Sequence, residues 1–156
     1  MTMRIKVDTA GLSSLIQQMN ENVNGAVRPA AQAAAQVLYD NVKSNVSRIG
    51  KVTGNLQNSI YQVYSKKNSS ETKATYEVSY NKQKAPHGHL VEYGHIQKFR
   101  SYIGKDGKWY TNKKSPLAQP IQIAAKPFIR PAITQFNAAM DAAKDRLIEE
   151  LNKDYT

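Results

Sequence analysis

The strongest constraint on the fold is a long alanine-rich stretch in the first third of the chain, opened by Arg28-Pro29 and closed by Gly50. Within it Ala30, Ala33, Ala34, Val37, Leu38 and Val42 recur at spacings of three and four, which places them along one face of a helix. A first helical turn tolerates proline because its N–H groups have no intrahelical acceptor, and glycine suits the end. The small side chains let a neighbouring helix or a second subunit approach closely.

Shorter elements surround this helix. Met3, Ile5 and Val7 alternate with Arg4 and Lys6, as in a strand over 3–7. Asp8 or Thr9 then caps a short helix bearing Leu12, Leu15, Ile16 and Met19, which Asn24-Gly25 interrupts. Beyond Gly50, β-like runs over 59–65 and 72–80 flank a polar loop over 66–71. Pro86 opens a helical segment over 88–93 that Gly94 stops. A second hairpin is expected over 98–112, with strands 99–103 and 108–111 around Gly104-Lys105-Asp106-Gly107. Pro116 and Pro120 mark an irregular connection, and Pro127-Phe128-Ile129-Arg130-Pro131 leads into a last helix with Ile133, Phe136, Met140, Leu147 and Leu151 on its apolar face. This order predicts an α+β fold, with the long N-terminal helix and the C-terminal helix packed on one face of a small antiparallel β-sheet. Residues 1–156 read as a single domain, with 98–114 as an inserted basic β-hairpin.

At 156 residues the chain can bury enough apolar surface to fold without staples, and it has no cysteine. That excludes disulfides, thiolate zinc sites and a thiol nucleophile together. No apolar run reaches bilayer length and the N-terminus lacks a hydrophobic signal core, so a soluble protein made in the cytoplasm, without membrane contact, is expected. The charge is unevenly placed. Residues 51–130 hold 14 Lys and Arg against 4 Asp and Glu, which accounts for the whole net charge of +10. A basic centre between neutral ends suits DNA or an acidic protein, or serves only for solubility.

Catalytic patterns are missing: there is no GxSxG, no phosphate-cradling glycine loop and no paired carboxylates in the middle of the chain. No enzymatic role and no cofactor are expected. His87, His89, Glu92 and His95 cluster in sequence and are weak candidates for a metal site, but Pro86 and Gly88 break any strand that would align the rings. The best candidate binding element is the hairpin, where Lys98, Arg100, Lys105, Lys108, Lys113 and Lys114 alternate with Phe99, Tyr102, Trp109 and Tyr110. Such a composition contacts phosphates and stacks on bases, or forms a protein interface arm anchored by Trp109.

Three stretches then resemble one family. Thr53-Gly54-Asn55-Leu56-Gln57-Asn58-Ser59-Ile60 is similar to its TG-x-L-x-x-S-I turn, His89-Leu90-Val91-Glu92-Tyr93-Gly94 to its H-L-V-E-[FY]-G segment, and Ala125-Lys126-Pro127-Phe128-Ile129-Arg130-Pro131-Ala132 to its A-[KR]-P-F-[LIM]-R-P-A entry into the last helix. The family is the HK97 gp10-like phage proteins, described as head–tail connector or tail-completion proteins. The chain departs from it between Gly94 and Ala125, where many members pass almost directly to the last motif. The resemblance implies a non-catalytic virion protein, assembled as a hexameric ring. The ring would lie at the head–tail junction, between a head-side connector or stopper and a tail terminator, with DNA passing through its lumen. It implies that Thr53, Gly54, Leu56, His89, Glu92, Gly94, Pro127, Phe128, Arg130 and Pro131 maintain the fold, and Glu92 and Arg130 are expected to pair within ~4 Å. A free-standing basic nucleic-acid-binding domain and a metal-dependent hydrolase built on the histidines are the alternatives.

Overall fold

The computed structural model describes residues 4–8, 23–50 and 54–153. The helix expected around Leu12, Leu15, Ile16 and Met19 lies outside them, as does Thr53. Described in order are β1 (Ile5–Asp8), α1 (Val23–Ile49), α2 (Asn55–Ser59), β2 (Ile60–Tyr64), β3 (Thr75–Tyr80), α3 (Gly88–Tyr93), β4 (His95–Ile103), β5 (Trp109–Ile123) and α4 (Phe136–Lys153). The fold is α+β, as its order of elements predicts. β1, β3 and β2 form an antiparallel sheet in that order, and among the described residues β4 and β5 pair only with each other.

Helix α1 organises the layers. One side of it covers β2 and β3, and α4 lies along another, so the C-terminal helix joins the sheet's covered face through α1. Two-sided covering widens the buried stripe beyond the expected one. Ala31 and Ala35 are fully buried together with Ala30, Ala34, Leu38 and Val42, whereas Ala33 and Val37 are half-buried. Alanines on two flanks let both layers come close without leaving holes.

Three sequence expectations are corrected. Helix α1 starts at Val23 and so includes Asn24-Gly25, and Pro29 sits inside it instead of in its first turn. The ring nitrogen of Pro29 cannot donate to the Gly25 carbonyl, but burial of Ala26, Val27 and Ala30 around it holds the turn helical. The hairpin spans 95–123, longer than the expected 98–114, and Pro116 and Pro120 lie within β5. A two-stranded ribbon leaves β5 an outer edge where a missing N–H costs no ladder bond, and the register shifts around Phe99, opposite Pro116. Finally, Ile133 and Phe136 are exposed, at 69% and 55%. The last motif enters a 3-10 turn (Arg130–Gln135) before α4, and that tighter winding rotates them away from the core. Ala132, Ala139 and Ala143 are buried in their place, with Met140, Leu147 and Leu151 packed beside them.

Phe128 closes the core. It is fully buried and meets the Tyr80 ring edge-on at 5.8 Å. Phe128→Ala should cost about 3–5 kcal/mol by cavity formation, while Ile133→Ser should stay within about 0.5 kcal/mol. Urea unfolding of both variants checks the pair.

Candidate functional site

The polar centre of the molecule is Glu92, on α3, with 1% of its side chain exposed. Its Oε2 accepts the backbone N–H groups of Phe128 (2.7 Å) and Ile129 (3.0 Å). Its Oε1 accepts the N–H of Arg130 at 3.1 Å and the Arg130 Nε, also at 3.1 Å. Arg130 donates a further bond to the Glu92 carbonyl at 2.7 Å and lies over the Tyr93 ring at 5.0 Å. The sequence requires this arrangement for a simple reason. Phe128 and Ile129 are fully buried, so their N–H groups would otherwise lack acceptors. From α1, Asn45 donates to the Phe128 carbonyl at 3.1 Å, and the Lys126 N–H donates to Val91 O at 2.8 Å.

Gly94 ends α3 at φ 72°, and a Cβ there would stand 2.6 Å from the Ile123 carbonyl and 2.8 Å from the Ala125 nitrogen. Only glycine fits this crossing, which brings the base of the hairpin against the segment leading to Phe128. His89–Gly94 and Ala125–Ala132 are thereby joined directly. Gly54 and Leu56, from the first motif, line a groove of about 740 Å³ together with Leu90, Val91 and Lys126.

Both Glu92 oxygens are committed to N–H donors, His89 is exposed, and His87 and His95 line the groove. Among the described residues no group of three His, Cys, Asp or Glu is arranged to hold a metal ion. Burial, and secondarily the neighbouring His89, hold the His87 imidazole below its ordinary value. Asn45 was not legible as a functional residue, although an asparagine interrupting the apolar stripe Leu38, Val42, Val46 is the available signal.

The basic residues gather elsewhere, on the hairpin. Directly opposed residues share a face of the ribbon, so the pairs Tyr102–Tyr110 and Arg100–Asn112 lie on one side, and Ile103–Trp109 and Ser101–Thr111 on the other. The second side turns toward the groove, which Ser101, Trp109 and Thr111 also line. On the first side the two tyrosine rings stack at 5.8 Å. The tip is fixed by Tyr110, whose hydroxyl donates to Asp106 at 2.7 Å, and by Lys108, 3.7 Å from the same carboxylate. These bonds hold the Asp106 carboxyl below the usual carboxylate range. Lys98, Arg100, Lys105, Lys108, Lys113 and Lys114 are all exposed.

Glu92→Gln replaces one acceptor oxygen by a donor and should cost about 3 kcal/mol in urea unfolding. Arg130→Met, at a half-exposed partner, should cost about 1 kcal/mol. His87 is less readily protonated in the fold than in the unfolded chain, so the unfolded state takes up more protons as pH falls below about 6.5. Stability is therefore full above that value and declines on acidification; His87→Gln should flatten the thermal melting profile between about pH 7.5 and 5.5.

No curated protein matches the chain significantly, and no solved structure does. Residues 12–94 match the family described as "Bacteriophage HK97-gp10, putative tail-component". The match takes in α1, the sheet strands β2 and β3, and α3 with Glu92, and it ends at Gly94, one residue before the hairpin begins. Because it covers more than half of the 156 residues, the chain belongs to the HK97-gp10-like family of phage tail-component proteins.

Proposed function

We propose that this protein is a tail-completion or neck subunit that assembles as a ring, a hexamer by family resemblance, at the head–tail junction of the virion. The head-side connector or stopper would lie above it and the tail terminator below. Residues 1–156 act as one domain in this reading, and the residues around Glu92 maintain the scaffold. The observation that carries it is where the chain's conspicuous polar groups are used. Glu92, Asn45 and Arg130 are consumed in tying α1, α3 and the entry to α4 together, which is the work of a rigid scaffold. What the molecule offers outward is an exposed arm with Tyr102, Ile103, Trp109 and Tyr110 at its end. A two-stranded ribbon is marginal alone and gains stability from a covering partner.

A second reading is supported by the basic character of the same arm: a nucleic-acid-binding domain acting free of any particle. Duplex binding by the isolated protein that weakens steeply with salt would favour it. Electron microscopy of particles from a phage lacking this protein tests the first reading. Full heads and finished tails that fail to join are expected; normal virions would overturn it.

A further inference from the structure

We infer that residues 9–22 of one copy seat their apolar stripe in the groove of the next copy, between the end of α1, α3 and the hairpin. The inference rests on the ring reading above and names the contact that joins its subunits. The groove holds about 740 Å³, and Val46, Ile49, Leu56, Leu90, Val91 and Trp109 make its walls mainly apolar. Trp109 is still 47% exposed there, so its own subunit covers only about half of it. His95, also in the wall, has a buried Nδ1 with no hydrogen-bond partner among the described residues. Buried polar atoms are normally paired, and an occupant of the groove can supply that partner.

The chain itself carries a matching segment. Leu12, Leu15, Ile16 and Met19 recur at spacings of three and four, the pattern of one helical face. Ser13 and Asn20 border that face and offer a hydroxyl and an amide to His95. The charges agree. From Asp8 to Val27 the chain holds two acids, Asp8 and Glu21, and no base. The groove is lined by Lys126, His87 and His95 and, among the described residues, by no acid.

Distance sends the segment to another copy. Both of its ends lie at the start of α1: Asp8 pairs with Thr75, next to Ala74, which lines a hollow with Arg28 and Tyr64. Val23 is the first residue of α1, whereas the groove lies at the far end, around Val46 and Ile49. At about 1.5 Å per residue, the way out along α1 and back is about 60 Å. Fourteen residues pulled straight span about 50 Å, and as a helix far less. A segment that leaves one end of a subunit and docks at the opposite end of its neighbour makes a head-to-tail contact. Such contacts close into rings rather than stopping at a dimer.

Mixing two singly substituted chains tests this, because the native protein has no cysteine. S13C chains should cross-link to S101C chains, changed in the groove wall, through a short bismaleimide. L15D/I16D should weaken assembly about tenfold or more in sedimentation velocity. A synthetic peptide of residues 9–22, titrated into that variant, checks that its groove is intact. Trp109 is the only tryptophan, so saturable binding should move its emission to shorter wavelength, and a peptide carrying L15D/I16D should not. Assembly undisturbed by L15D/I16D, or cross-links formed only within a doubly substituted S13C/S101C chain, would overturn the docking while leaving the ring intact. A wild-type chain that stays monomeric, alone and in particles, would overturn the ring reading and this contact together. If Trp109 emission shifts only when finished tails are added, the groove receives a different virion protein and the docking is wrong.

Discussion

Four donors converge on the carboxylate of Glu92, and three of them are backbone N–H groups of consecutive residues, Phe128, Ile129 and Arg130. A buried acid of this kind is tolerated only because every lone pair has a partner, and the partners are tolerated in the interior only because the acid is there. The consequence reaches well beyond α3. The segment bound by Glu92 carries the aromatic ring that seals the core and sets the direction in which the chain enters α4. Asn45 holds the carbonyl side of that segment from α1. One side chain therefore fixes three helices relative to each other, and the alanines of α1 allow them to close on it.

Gly94 connects this interior to the outer arm. The chain turns there at a positive φ, so close to Ile123 and Ala125 that a side chain would not fit. The hairpin leaves and returns through this crossing, immediately beside the Glu92 network. A long exposed element is thus anchored at its base beside the buried hydrogen-bond network of Glu92. That suits an arm whose tip meets another protein, since orientation at the base is multiplied along the strands. The family match ends at the same residue, so the arm lies outside the matched stretch.

Much of the scaffold was legible from residue patterns. The apolar spacing of α1, its end at Gly50, the short helix before Gly94 and the strands around Tyr61 and Val78 follow from local rules, and the structure has them. Local rules failed where a distant element decided. Nothing within a few residues of Pro29 says that Ala26 and Val27 are buried and will hold the preceding turns helical. Pro116 and Pro120 look like breakers until it is known that β5 has an unpaired edge to hide them on. Ile133 and Phe136 fit an apolar face by spacing counted from the wrong start, because the 3-10 turn shifts the phase.

The sequence by itself determined the elements, the family and the basic, aromatic character of residues 98–114, because periodicity, turn chemistry and charge are properties of neighbours along the chain. Which groups are spent inside and which remain for a partner was decided only in three dimensions. In one dimension Glu92 sits among His87, His89 and His95 and looks like a ligand. Folding brings it to three N–H groups more than thirty residues away, and a buried acceptor satisfies those first.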